Sequence, residues 1–383
     1  MLTISERRLV IACGGTGGHL FPGIAVAEAW TRKGGEALLL ISEKQIDALA
    51  TEGYDHLRFE KMPSLAMPGV FSWRMLRFIF VFLRSLGACR RLLKDFRAEA
   101  VLGMGGFTSA APLAAGRIAG LPTFIHESNA VPGKANRLNA LFSRAVLVGF
   151  DECVPLFGKG KPVEVVGTPL RPSLVNRPAR DEAIARFGLD PGKKTVMVMG
   201  GSQGARRLNE LVAASLPRFA ESGIQLLHIS GPGDYELVKA AYAACPEAGL
   251  LLSFCSEIQF AYAAADLAIC RSGASTLTEL GYYEIPSVLI PYPFAADDHQ
   301  TANARIFSGP GAAVLWVQDE LDEENFSDKI LSLILDEKQL LKMKAAAAGL
   351  SVPEASGRVC ECIAASLGRS RHGHPEFQST TDL

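Results

Sequence analysis

Short apolar runs, many of them β-branched, recur along the chain between longer stretches in which apolar residues return every three or four positions. The first pattern predicts strands and the second predicts helices. On this reading residues 8–13, 37–41, 100–102, 122–126 and 145–148 are strands, and 22–33 is a helix following the first of them. The second half repeats the scheme, with strands at 195–199, 225–229, 250–254, 267–270 and 287–290 and helices between them. Alternation of this kind predicts an α/β chain in which a parallel sheet covered by helices on both faces is formed twice. Three prolines and a glycine break the periodicity in VVGTPLRPSLVNRP, residues 165–178, and the division belongs there. The expected organisation is a first domain over 1–170 and a second over 171–352. A closing helix over 353–368 is able to pack on either domain, back on the first included, and the polar tail over 369–383 is expected to be disordered.

Composition narrows the class. A chain of 383 residues suits two domains, and 48% apolar with 21% charged residues excludes a disordered protein. A net charge of −1 excludes a general nucleic-acid binder. The charge is unevenly divided: residues 1–170 hold 20 Lys and Arg against 14 Asp and Glu, and the remainder holds 19 against 26. The eight cysteines are scattered without zinc or disulfide spacing, which predicts reduced, buried thiols in a cytosolic protein. The first residues run straight into a strand without the pattern of a signal peptide. The charge-free stretch over 100–116 has 17 residues and is interrupted by glycine, short of the ~20 apolar residues a membrane span requires.

Glycine clusters mark the candidate chemistry. GGTGGH at 14–19 opens the first half, and GGSQGA at 200–205 opens the second, 186 positions later. Both stand between a first strand and a helix, where ligands of open α/β sheets bind. Consecutive glycines there let backbone N–H groups and a helix N-terminus close on a phosphate. GMGG at 103–106 is a third such loop. The dinucleotide fingerprint GxGxxG fails at Leu20, and no GxxxxGK[ST] occurs, so the loops predict a diphosphate ligand outside the usual NAD and P-loop classes.

His19 closes the first loop at a helix start, where the dipole disfavours imidazolium. It is either a neutral ring able to accept a proton at pH 7 or a donor to a nearby carbonyl. His126 and Glu127 follow the strand that begins at Pro122, and serve either acid–base work or the tethering of a loop. In the second half, residues 272–276 offer another helix N-terminus, and Glu279 one turn later is suited to the two hydroxyls of a ribose. Gln300 and Asn303, on one face of the helix begun by DDHQTANA, suit sugar hydroxyls or amides, or else cap the helix. Asp297 and Asp298 lack a third ligand for a metal.

The motifs GGTGGHLFPG, GMGGFTSAAP, HESNAVPGKANR, GGSQGAR, CRSGASTLTEL and PYPFAADDHQTANA resemble those of the bacterial MurG glycosyltransferase family, in its order and spacing, over essentially residues 8–367. The resemblance implies the GT-B fold, two Rossmann-like domains facing across a cleft, with an acceptor domain first and a UDP-sugar domain second. It implies inverting transfer of N-acetylglucosamine from UDP-N-acetylglucosamine to the 4-hydroxyl of undecaprenyl-diphosphate-linked N-acetylmuramyl-pentapeptide. This is a step of peptidoglycan synthesis at the cytoplasmic face of the bacterial inner membrane, by a peripheral protein. The family's donor contacts fall on Thr16, Gly17, Gly18, Asn129 and Arg171 in the first half. In the second half they fall on Ser202, Cys255, Ala274, Ser275, Thr276, Leu277, Thr278, Glu279 and Gln300. Cys255 stands where an aliphatic residue is usual, and Phe107 where a tyrosine is usual, so no hydroxyl role is expected of Phe107. On this resemblance His19 is the first choice for the base and Glu127 the second. No cofactor or metal is implied, and the chain has no Asp-x-Asp.

Residues 72–97 predict a long helix with seven basic residues against one acid, Asp95. Arg77, Arg84 and Arg91 form one stripe, and Trp73, Met75, Leu76, Phe78, Ile79, Phe80, Phe82 and Leu83 cover much of the rest. This apolar surface is wider than core packing needs, and with the stripe it suits an anionic membrane surface, the alternative being a buried helix with a solvated basic face. The residues leave other readings open: a UDP-sugar 2-epimerase or another lipid glycosyltransferase on the same scaffold, or a non-catalytic nucleotide-sugar-binding scaffold.

Overall fold

The computed structural model describes residues 4–15, 17–43, 53–63, 73–201 and 204–369. The chain forms two compact units, one comprising Met1–Pro172 with the segment from Pro353 onward, the other Ser173–Val352. Thr16, Ser202, the first residue of the 72–97 segment and nearly all of the predicted tail (370–383) lie outside the described residues.

The first unit runs β1 (Arg8–Ala12), α1 (Gly17–Arg32), β2 (Glu36–Ser42), β3 (Arg58–Met62), α2 (Arg74–Asp95), β4 (Ala100–Gly103), α3 (Ala110–Ile118), β5 (Thr123–Glu127), α4 (Lys134–Phe142), β6 (Ala145–Val148) and β7 (Val163–Val165). Its sheet is parallel throughout, in the order β3-β2-β1-β4-β5-β6-β7. β4 (AVLG) and β6 (AVLV) are buried from end to end, as strands covered on both faces must be.

The second unit runs α5 (Arg180–Arg186), β8 (Lys194–Met199), α6 (Arg206–Glu221), β9 (Ile224–Ile229), α7 (Tyr235–Ala244), β10 (Gly249–Leu252), α8 (Ile258–Ala264), β11 (Leu267–Cys270), α9 (Ala274–Tyr283), β12 (Ser287–Leu289), α10 (His299–Ser308), β13 (Ala313–Leu315), α11 (Glu323–Leu335) and α12 (Glu337–Ala348). Its parallel sheet has the order β10-β9-β8-β11-β12-β13. Aspartate caps start its last two helices: Asp322 accepts from the Asn325 N–H at 2.8 Å, and Asp336 from that of Gln339 at 3.0 Å.

The final helix, α13 (Ala355–Arg369), belongs to the first unit and packs on α1. Val359, Cys360, Ile363, Ala364 and Leu367 enter the same core as Leu20, Ile24, Ala27 and Trp30. Seven cysteines are buried and Cys362 is half-buried. Among the described residues no helix is long and apolar enough to cross a membrane.

In each sheet the strand order reverses once. The first reverses between β1 and β4, whose last residues Ala12 and Gly103 pair, and the second between β8 and β11, where Met199 pairs with Cys270. A crevice opens outside the carboxyl ends of the strands at such a switch point. GGTGGH follows β1, and GMGG, GGSQG and CRSGAST begin at the ends of β4, β8 and β11.

Candidate active site

In the first unit, side chains from neighbouring elements knit the strand-end loops together. Thr108 donates to the Gly14 carbonyl at 2.8 Å, and Ser109 to that of Gly105 at 2.8 Å. Asn139 of α4 donates to the Gly106 carbonyl at 2.9 Å. His19 lies in the first turn of α1, with Gly17 half-buried and Gly18 exposed beside it. Its ring crosses the GMGG backbone: a Cβ on Gly105 would stand 2.7 Å from His19 Nε2, and the Gly105 φ of +121° is closed to other L residues. The loop's glycine is therefore what makes room for the histidine.

His126 and Glu127 make tethering bonds, one of the two roles left open by the sequence, and their position differs from the expected one. They do not follow the strand but end it, as the last residues of β5, and both are buried. His126 Nε2 donates to the Gly167 carbonyl at 2.9 Å and Nδ1 accepts from the Ser128 hydroxyl at 3.3 Å. Burial above all, with the nearby His19 adding to it, holds its pKa down at about 4, so the ring is neutral and structural. Glu127 is 3% exposed. One oxygen accepts from the Asn129 backbone N–H and side chain, each at 2.9 Å. The other accepts from the Gly133 N–H at 3.1 Å and Asn136 Nδ2 at 2.8 Å. Four donors fill the lone-pair sites of one carboxylate, which makes Glu127 the clamp of the HESNAVPG loop in this conformation. Asn129 is thereby fixed beside it. Arg171 stacks its guanidinium 4.1 Å from the centre of the Phe21 ring, which ties the GTPLR segment to α1.

In the second unit Gly204 turns the loop after β8 at a φ of +79°, where a Cβ would press into the Ser230 carbonyl. α9 begins after Gly273 with no side-chain cap, so the N–H groups of Ala274, Ser275 and Thr276 face outward from its N-terminus. Leu277 is fully buried, and the Thr278 hydroxyl returns to the Ala274 carbonyl at 3.0 Å, so neither side chain is presented to a ligand. Glu279 is buried and accepts from the Tyr262 hydroxyl at 2.6 Å.

Gln300 and Asn303 do not form one ligand-facing surface. Asn303 is fully buried and donates to the Ser272 carbonyl at 3.0 Å, while Gln300 Oε1 accepts from the Tyr292 N–H at 2.9 Å. Arg271 adds to this frame by donating to the Ile290 and Pro291 carbonyls and to Gln318. Cys255 is buried, next to an exposed Phe254. Sequence reasoning missed Asn136, Asn139 and Tyr262. Asn136 and Asn139 stand i, i+3 in KANRLN, a spacing that puts both amides on one side of α4.

The sequence model of the glycosyltransferase family 28 N-terminal domain matches residues 9–148, and that of its C-terminal domain matches 195–359. The chain is 34% identical, over 93% of its length and 98% of the relative's, to the UDP-N-acetylglucosamine–N-acetylmuramyl-(pentapeptide) pyrophosphoryl-undecaprenol N-acetylglucosamine transferase of Halothermothrix orenii. It is 37% identical, over 96% of its length and all of the relative's, to the protein of the same name from Synechococcus elongatus. The crystal structure of Acinetobacter baumannii MurG superposes with a TM-score of 0.72 at 27% identity, covering 94% of this chain and 99% of that one. Two Rossmann-like units with a glycine loop at each switch point, matched from end to end by these proteins, place the chain in the MurG family of glycosyltransferases, with the GT-B fold.

Proposed function

We propose that the protein transfers N-acetylglucosamine, with inversion, from UDP-N-acetylglucosamine to the 4-hydroxyl of undecaprenyl-diphosphate-linked N-acetylmuramyl-pentapeptide, converting lipid I into lipid II in peptidoglycan synthesis. The observation that carries this reading is the match of both units, over 93% or more of the chain, to relatives whose names state that donor, group and acceptor.

The chemistry assigns each unit a task. In the second, the diphosphate of the donor sits against the GGSQG loop, with Ser202, and the N-terminus of α9 at Ala274, Ser275 and Thr276, where fixed N–H dipoles stabilise the charge that grows on departing UDP. Glu279 takes the ribose hydroxyls, the chain at Cys255 meets the base, and Gln300 meets the sugar. Leu277 and Thr278 contribute through the helix backbone alone. In the first unit, which carries the basic surplus, Thr16, Gly17, Gly18, Asn129 and Arg171 complete the contacts. The acceptor's 4-hydroxyl oxygen attacks C1 of N-acetylglucosamine on the face opposite the diphosphate. The C1–O bond breaks with its electron pair going to UDP, and the hydroxyl proton passes to the His19 ring. With Glu127 committed to its loop, His19 is the base.

The exposed apolar face of α2, with Arg77, Arg84 and Arg91 exposed along the same helix, supports a peripheral seat on the anionic cytoplasmic leaflet that holds the acceptor. Incubation with radiolabelled UDP-N-acetylglucosamine and a lipid-linked muramyl-pentapeptide tests the reaction, beside UDP-glucose and acceptor-free controls. Label is expected in the lipid fraction only with the matched donor and acceptor. Conversion of the nucleotide sugar without acceptor would instead identify a 2-epimerase, and absence of labelled lipid with all components would overturn the reading.

A further inference from the structure

The buried Tyr262–Glu279 pair is an arrangement that the donor contacts alone do not require. Tyr262 is 1% exposed and lies on α8, while Glu279 is on α9. Their 2.6 Å separation is that of a short, charge-assisted O–H···O⁻ bond, which gains strength in a site shielded from water. The phenol is itself held, since its ring packs on Tyr283 with centroids 5.3 Å apart. A glutamate has three rotatable side-chain bonds, and a ligand that must first order them loses affinity in doing so. A carboxylate with one oxygen already anchored presents its plane in one orientation, as two adjacent hydroxyls require. The sequence position of α8 adds to this: it starts at Ile258, directly after the turn containing Cys255. One short helix thus links the turn assigned to the base with the side chain assigned to the ribose.

We propose that Tyr262 is a positioning residue that orients the Glu279 carboxylate for a ribose diol, and so sets this unit's preference for ribonucleoside over 2′-deoxyribonucleoside diphosphates. The inference rests on the donor reading above and goes beyond it in naming what fixes the carboxylate. Calorimetric titration of the full chain with UDP, 2′-deoxy-UDP and CDP tests it, in wild type and in Tyr262→Phe, which keeps the ring and removes the hydroxyl. Wild type is expected to bind UDP roughly tenfold more tightly than 2′-deoxy-UDP, the range of a hydrogen bond to a charged group. In Tyr262→Phe, UDP is expected to weaken about fivefold while 2′-deoxy-UDP stays within about twofold, and the UDP to CDP ratio is kept. Glu279→Asp, which withdraws the carboxylate from Tyr262 without touching the phenol, is a second variant and is expected to lose the same discrimination. Equal weakening of UDP and 2′-deoxy-UDP would mean a merely structural tyrosine and overturn the proposal, as would unchanged discrimination in both variants. Wild type that binds UDP without preferring it to 2′-deoxy-UDP removes this inference alone, whereas wild type that binds no UDP removes the donor reading with it.

Discussion

The His19 ring and the Gly105 backbone occupy neighbouring space, and neither residue is interpretable without the other. If His19 takes the acceptor proton, His19→Ala is expected to lower turnover by roughly 100-fold or more, with the KM for UDP-N-acetylglucosamine little changed. A steady-state loss below about threefold would withdraw the assignment. Gly105→Ala meets both a forbidden φ and the imidazole, so it is expected to lower turnover nearly as far by displacing the ring. The double variant should then be no slower than His19→Ala alone, because both act on one group; additive losses would separate them. At this scale the sequence was legible where a motif carries its own geometry. Glycines between strand and helix read as loops at strand ends, and they stand where each strand order reverses; Glu279 reads as part of the helix that opens after Gly273, and it lies there. Glu127 shows the limit. Adjacency to His126 in sequence left acid–base work and loop tethering both open, and what shows the tethering is four donors, two of them on Gly133 and Asn136, brought in by the loop and α4. Tyr262 was invisible for the same reason: its partner is 17 positions away on another helix.

Among the elements, α2 has the least ordinary surface. Trp73 just before it is 77% exposed, and Leu76 and Phe80 are 75% and 66% exposed. The other side of the helix is fixed: Cys89 and Leu93 are buried, and Phe78 stacks on Phe82 and meets Phe107 edge-on. Replacing Leu76 and Phe80 by serine is therefore expected to leave the melting temperature unchanged within about 2 °C, since exposed side chains carry little folding energy. The same change should abolish flotation with vesicles containing anionic lipid. Arg77, Arg84 and Arg91 changed together to glutamine should weaken binding to anionic vesicles and remove its salt dependence, leaving neutral vesicles unaffected. Equal flotation of wild type with both kinds of vesicle, insensitive to salt, would dismiss the electrostatic contribution. The strands teach a related lesson about surfaces. Every strand inside either sheet was readable as an apolar run, yet β3, β7 and β13 were not, and all three are edges. An edge strand needs less apolar sequence than an interior one, and RFEKM or a three-residue VEV gives no period to detect.

At the scale of the whole molecule, each unit carries one buried, neutral histidine among the described residues: His126 in the first, and in the second His228, whose pKa burial pushes down to about 3. Both values lie below the unfolded histidine range near 6.5, so in acid the unfolded chain binds the extra proton first. The stability these rings contribute is complete above pH 6.5 and is lost as the pH falls toward 4. His126 alone should cost about 2 kcal/mol between pH 7.5 and pH 5. Urea midpoints at the two pH values check this, and a stability that stays flat from pH 7.5 to 5 would contradict it. The division into two doubly wound halves was legible, because each half repeats the same alternation of strand and helix. The destination of the last helix was not, because an amphipathic stripe states that it must be covered and leaves open by what. That destination has a consequence for biosynthesis. The groove on α1 stays uncovered until Val359, Ile363 and Leu367 have been translated, and closing it is worth on the order of 5 kcal/mol. The nascent first unit therefore leaves the ribosome with an open seam, which α13 closes only after the whole second unit has been made.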